Sequence, residues 1–179
     1  MIINIRILTL VATIFLFSCS NSEDKSQQDN GAVSISKIEN LESELFNSEV
    51  VNLNTKKALK LGKLYVEYAS AYPNDTVAPE FLYKAADISM NVGRPQLTIV
   101  LFEKIIENYP NYKNIPTIMF LMGYVYENEL NDYEKAGNYY IEFLDKYPDS
   151  DFADDATISL KNLGKSPEEM IEEFENNTK

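Results

Sequence analysis

From Ser34 onward, apolar residues recur at three- and four-residue spacing, the signature of helices that each bury one face. Ile35, Ile38, Leu41 and Leu45 mark a short amphipathic helix expected to pack on the one that follows. Residues 54–72 carry Leu61, Leu64, Tyr65, Tyr68 and Tyr72 on one stripe. Pro73 ends that helix, because proline cannot continue the hydrogen-bond ladder. Pro79 sits where a first helical turn tolerates it, and the helix it opens turns Leu82, Ala85, Ala86 and Ile88 inward. Gly93 stops that helix and Pro95 opens the next, with Leu101, Phe102, Ile105 and Ile106 facing the core up to Tyr109. Residues 117–148 read as two helices folded back across an Asn131-Asp132 turn. The first bears Phe120, Met122, Gly123 and Tyr126; the second bears Ala136, Tyr140, Phe143 and Tyr147. A helix over 150–164 follows, with Ala153, Ala156, Ile158, Leu160 and Leu163. Ser166-Pro167-Glu168-Glu169 then reads as a capping box, opening a last helix whose apolar stripe is Met170, Ile171 and Phe174 and which is expected to close the stack.

The pattern repeats. Tyr-Pro occurs at Tyr72-Pro73, Tyr109-Pro110 and Tyr147-Pro148, 37 and 38 residues apart. Aligned there, Tyr65, Phe102 and Tyr140 share one register, Tyr68, Ile105 and Phe143 a second, and Ala69, Ile106 and Leu144 a third. Downstream, Pro79 matches Pro116 and Ala86 matches Gly123. Small residues let two helix backbones approach, and large ones at the matching places fill the space between successive hairpins. A self-match across three copies marks a helical repeat, whose units stack on their neighbours.

The order Met119, Met122-Gly123, Tyr126, Ala136, Tyr140, Phe143 and Pro148 resembles the tetratricopeptide repeat, a helix-turn-helix unit stacked as a solenoid. The resemblance covers about residues 53–163; the first copy is looser, with Ala86 for the glycine, Ser89 for the aromatic and Thr98 for the small alanine. It implies an all-α, right-handed helical-hairpin solenoid of about seven or eight helices. It also implies that the first helix of each hairpin lines a groove for an extended peptide or partner helix. On this chain those positions are Glu80, Tyr83, Asp87 and Met90 in one repeat, and Thr117, Phe120, Tyr124 and Glu127 in the next. Aromatics beside acids suit a basic, partly apolar partner. The other reading of the same positions is that these aromatics are core, or that residues 35–45 or the tail helices fill the groove.

The amino terminus is of a different kind. Residues 1–18 hold Arg6 and then an apolar run from Ile7 to Phe17, too short to span a bilayer, which needs about 20 residues; it reads as an export signal. Leu16-Phe17-Ser18-Cys19 resembles the bacterial lipobox, which implies cleavage before Cys19 and attachment of acyl chains such as palmitate there. Two or more chains suffice for stable anchoring. Residues 19–33 are polar and lack aromatics, a composition that reads as a disordered tether, leaving 34–179 as the repeat domain with its C-terminal capping helices. Ser20 after the cysteine is what lipoproteins sorted to an outer membrane show. The Glu23-Asp24 pair resembles the export signal of surface lipoproteins, but the periplasmic face is preferred. Lipobox, tether, repeats and ending together resemble repeat lipoproteins of Bacteroidetes. More distantly they resemble the repeat lipoprotein of the outer-membrane barrel-assembly machinery and the repeat domain of the Tol–Pal coordinating protein.

Composition narrows the chemistry. A net charge of −12 argues against nucleic acid, which needs clustered Lys and Arg. With no His and a single cysteine, neither an internal disulfide nor a soft-metal site can form. The acids at Asp149, Asp151, Asp154 and Asp155 lack the ligand and glycine spacing of a calcium loop and read as a helix start, where the dipole favours negative charge. Glu168, Glu169, Glu172 and Glu173 lie on a short terminal helix without an aromatic pocket. No glycine-rich phosphate loop or nucleophile elbow is present. The expectation is a non-enzymatic, cofactor-free scaffold that binds a protein or peptide, with components of barrel assembly or Tol–Pal as partners. The alternative is a glycan- or peptidoglycan-binding envelope lipoprotein.

Overall fold

The computed structural model describes residues 34–46 and 54–177. The export signal, Cys19 and the tether to residue 33 lie outside the described residues. Those described all belong to one compact unit, Gly31–Lys179. They form eight helices and no strand: α1 (Ile35–Phe46), α2 (Thr55–Ala71), α3 (Ala78–Asn91), α4 (Pro95–Asn108), α5 (Ile115–Asn128), α6 (Tyr133–Lys146), α7 (Ala153–Asn162) and α8 (Pro167–Asn177). From α1 to α7 each helix packs on the next in sequence, so the architecture is an all-α helical-hairpin solenoid.

Local chemistry sets the helix ends. Asn54 and Asp132 cap α2 and α6, accepting the backbone N–H of Lys57 and Lys135 at 3.1 and 3.2 Å. Proline stands in the first turn of α3, α4 and α5, where its missing N–H has no intrahelical partner to lose. The three Tyr-Pro steps have nearly one backbone geometry: φ, ψ of −128°, 61° at Tyr72, −135°, 57° at Tyr109 and −135°, 55° at Tyr147. The following proline drives each tyrosine out of the helical region.

The same hydrogen bonds follow each step. Asp75, Tyr112 and Ser150 donate their N–H to the carbonyls of Tyr72, Tyr109 and Tyr147, and Ala78, Ile115 and Ala153 donate to Asp75, Tyr112 and Ser150. This ladder corrects the expected start of α7: Ser150 and Asp151 belong to the junction, and the helix begins at Ala153.

The change of spacing from 37 to 38 also has a location. In the α3–α4 turn, Arg94 N–H reaches Ser89 C=O at 2.9 Å, with Gly93 at φ 69°. In the α5–α6 turn, Asp132 N–H reaches Tyr126 C=O at 2.8 Å, one residue further on. Asn131, at φ 52°, absorbs the extra residue; asparagine is among the few side chains that tolerate the left-handed region.

The core follows the repeat register. Tyr65, Phe102 and Tyr140 are all buried, as are Tyr68, Ile105 and Phe143, and each such side chain contributes about 1.5–3 kcal/mol by leaving water. Ile38, Leu41 and Leu45 of α1 join this core, while Ile35 is exposed. Tyr72 is exposed too, its ring tilted against Tyr68 at 4.9 Å, since the helix has ended beneath it. The capping box at α8 is present: Ser166 N–H donates to Glu169 and Glu169 N–H donates to the Ser166 hydroxyl. Two expectations at this end are corrected. Ile158 faces outward at 59% exposure. Met170 and Ile171, expected on the apolar stripe of α8, are exposed as well.

Candidate partner-binding site

The predicted groove positions fall into two local clusters and one core residue. In the first, Glu80 and Tyr83 stand one turn apart on α3, and the junction after α4 lays Tyr112 against both. Tyr112 donates its hydroxyl to Glu80 at 2.7 Å, and its ring centroid lies 6.3 Å from that of Tyr83. The Phe102 ring also lies near Tyr83, at 6.2 Å. Burial, then the charges of Asp87 and Glu80, pushes the Tyr83 phenol above its ordinary range. Burial and the hydrogen bond to Glu80 push Tyr112 further up. Both phenols therefore stay neutral donors. Asp87 is exposed, one turn further along, and accepts from Asn91 at 3.2 Å; Met90 is half-buried.

In the second cluster, Glu127 accepts the Tyr140 hydroxyl at 2.7 Å. Burial and this bond raise the Tyr140 phenol, with the nearby Tyr124 adding a smaller push. Tyr124 itself is 43% exposed. Thr117 is half-buried at the start of α5.

Phe120 is not part of an open surface. It is buried at 9%, and Phe152, from the junction before α7, stacks on it at 4.8 Å and 12°. Its assignment to the groove is corrected to core. The ring stacked on it comes from the junction before α7. The equivalent residue on α7 is Ile158, which has no further junction to cover it and stays exposed.

The sequence reading missed two groups. Tyr112 is one, although it holds the same register after Tyr109 as Asp75 after Tyr72, where Tyr68 donates to Asp75 at 2.7 Å. The other is the contact of α1 with α3. Glu42 accepts from the Tyr65 hydroxyl and pairs with Lys84 at 2.8 Å, and Lys84 lies over the rings of Tyr65 and Phe81 at 5.6 and 5.8 Å. Burial raises the Glu42 carboxyl, but the Lys84 and Tyr65 hydrogen bonds outweigh it and the net shift is downward. Helix α1 thus occupies the place beside α3 that a preceding hairpin would hold, which fills that end with the chain's own residues.

The hairpins α3–α4 and α5–α6, with the first residues of each following junction, are the part of the chain that a known family describes. Residues 80–112 and 118–150 each match the tetratricopeptide repeat. No curated protein matches the chain. The two matched segments end at Tyr112 and Ser150, the equivalent residues of the hydrogen-bonded junction. Among the described residues no group of His, Cys, Asp and Glu could hold a metal ion, and no helix is long and apolar enough to cross a membrane.

Proposed function

We propose that the chain is a non-enzymatic scaffold, held in a bacterial outer membrane by acyl chains on Cys19, with its fold on the periplasmic side. Its first helices would capture a basic, partly apolar segment of a partner protein. One observation carries this reading: α3 and α5 each present a partly open tyrosine beside carboxylates, Tyr83 with Glu80 and Asp87, and Tyr124 with Glu127. Tyrosine supplies a large contact area with few rotamers to freeze, which is why it concentrates binding energy at interfaces. The carboxylates steer and orient a cationic partner. Glu80 and Glu127 each engage a tyrosine hydroxyl through one oxygen and keep the other for a lysine or arginine. The lipobox resemblance supports the anchor, and the polar composition of residues 19–33 supports reach from the membrane.

A photo-crosslinking residue placed at Tyr124 in cells, followed by mass spectrometry, tests the reading. Crosslinks to one defined protein, among them components of barrel assembly or Tol–Pal, that vanish in an Asp87→Asn variant support it. Crosslinks only to cell-wall glycan would replace it with the glycan-binding alternative.

A further inference from the structure

On a chain of net charge −12, four of the 16 basic residues fall within the first nine positions of α2: Lys56, Lys57, Lys60 and Lys63. No acid occurs on this helix before Glu67. Lys56, Lys60 and Lys63 are exposed and share one face by their four- and three-residue spacing. Lys56 and Lys57 stand in the first turn, where the helix dipole is positive and disfavours cations. The stripe therefore repels both itself and the helix end that carries it, and an anionic partner relieves both. Lys57 leans across to Glu44 of α1 at 3.1 Å and Lys63 pairs with Glu67 at 3.4 Å. Lys56, Lys60 and Arg94 have no carboxylate within ion-pair distance among the described residues.

Beside this stripe the surface turns apolar. A cleft of about 430 Å³ opens between α2 and α4, walled by Leu59, Val66, Leu97 and Leu101; its charged lining is Lys63, Arg94 and one acid, Glu67, which is paired with Lys63. Leu97 and, one turn on, Val100 are 40% and 57% exposed. The corresponding cleft between α4 and α6, about 550 Å³, is acidic on balance, with Glu103, Glu107 and Glu142 against Lys146 alone. Cations and apolar side chains thus meet at one place on an acidic molecule.

We propose that the face formed by the N-terminal halves of α2 and α4 docks on an anionic lipid bilayer. The lysines and Arg94 take the headgroup phosphates, and Leu97 and Val100 enter the boundary between headgroups and acyl chains. Helix α8, with five glutamates, is repelled by the same surface, so the charge gradient along the solenoid sets one orientation. The inference rests on the envelope reading only for a membrane being at hand.

Docking is measured without the anchor. Residues 31–179 are a compact unit with their own core and contain neither Cys19 nor the apolar leader. They are sedimented with vesicles of phosphatidylcholine alone or mixed with phosphatidylglycerol. The expected result is binding to the mixed vesicles alone, weakened by salt. At about fivefold per lysine, the triple variant K56Q/K60Q/K63Q loses about a hundredfold, while Val100→Ser weakens binding at unchanged charge. Neither variant lowers the melting curve of the parent. Absence of binding, equal binding to both vesicles, or binding that survives the triple variant overturns the proposal. So does a salt-sensitive dimer that leaves the vesicles unbound, which assigns the lysines to the acidic end of a second copy. Palmitate labelling of the full chain tests Cys19 separately: a labelled chain whose 31–179 unit ignores vesicles keeps the anchor and loses the docking face, and the reverse result does the opposite.

Discussion

In the α3–α4 hairpin the small residue of the first helix is Ala86 and the matching rings and tips are Phe102 and Met90. In the α5–α6 hairpin the same positions hold Gly123, Tyr140 and Glu127. The junctions that bound the two hairpins share one backbone geometry, yet the interiors are filled by different chemistry. Where the ring carries a hydroxyl, a carboxylate stands ready to accept it, as Glu127 does for Tyr140 and Glu42 of α1 does for Tyr65. Where the hydroxyl is absent, at Phe102, the acceptor position is Met90. A buried phenol without an acceptor costs free energy that neither a satisfied pair nor an apolar pair incurs. The repeat therefore conserves a relation between two positions more than the residues at either.

The sharpest way to break the comparison is Gly123→Ala, which copies the first repeat's small residue into the second. A β-carbon there would lie 2.5 Å from the Tyr140 ring, which is itself buried. The expected loss is about 1–3 kcal/mol, read from a urea melt. By contrast Gly62→Ala, whose β-carbon meets Ile88 at an ordinary 3.7 Å, is expected to stabilise by up to about 1 kcal/mol through helix propensity.

Next in size is Tyr83→Ala. Its half-buried ring lies against those of Phe102 and Tyr112, so a loss of about 2 kcal/mol is expected, with partner capture falling as well. Tyr140→Phe strands Glu127 and is expected to cost about 1 kcal/mol. Adding Glu127→Met rebuilds the first repeat's pair, and recovery of most of that loss in the double-mutant cycle is the expected outcome.

A smaller effect appears only in alkali. Tyr68, pushed up to about 12 by its hydrogen bond to Asp75, and Tyr139, pushed up to about 12 by burial, stay protonated in the fold where an unfolded tyrosine ionises near ~10. Their contribution is complete below pH ~10 and fades as pH rises toward 12. Tyr68→Phe should flatten the fall in melting temperature over that window. Least of all, Tyr124→Ala should change stability by under ~0.5 kcal/mol, since the side chain stands at the surface, 43% exposed, while still weakening partner capture. A large loss of stability there would return Tyr124 to the core.

What the sequence made legible was whatever the helical period and the Tyr-Pro spacing encode. The stripe of Leu61, Tyr65 and Tyr68, the close approach at Gly123 and the cap at Ser166 all follow from residues a few positions apart. Phe120 was misassigned because its partner Phe152 belongs to a junction rather than a helix, and no periodicity reports which loop residue folds back over which ring. Ile158 was misassigned for the converse reason: its register is that of a core position, and only the absence of a following hairpin leaves it in solvent. Tyr112 was within reach of the alignment on Tyr-Pro, but its role needed the distance to Glu80. The lysine stripe of α2 was in plain view, yet its meaning depends on Leu97 and Val100, over thirty residues away in sequence.

The sameness of the three Tyr-Pro steps has a consequence for how such a chain can change length. Tyr109 and Tyr147 leave their helices at the same backbone angles and enter the same hydrogen-bonded junction. Joining Tyr109 directly to Pro148 would recreate that step and delete one hairpin; copying the intervening residues would add one. The gene can thus be shortened or lengthened in whole modules while every splice remains a joint the molecule already contains.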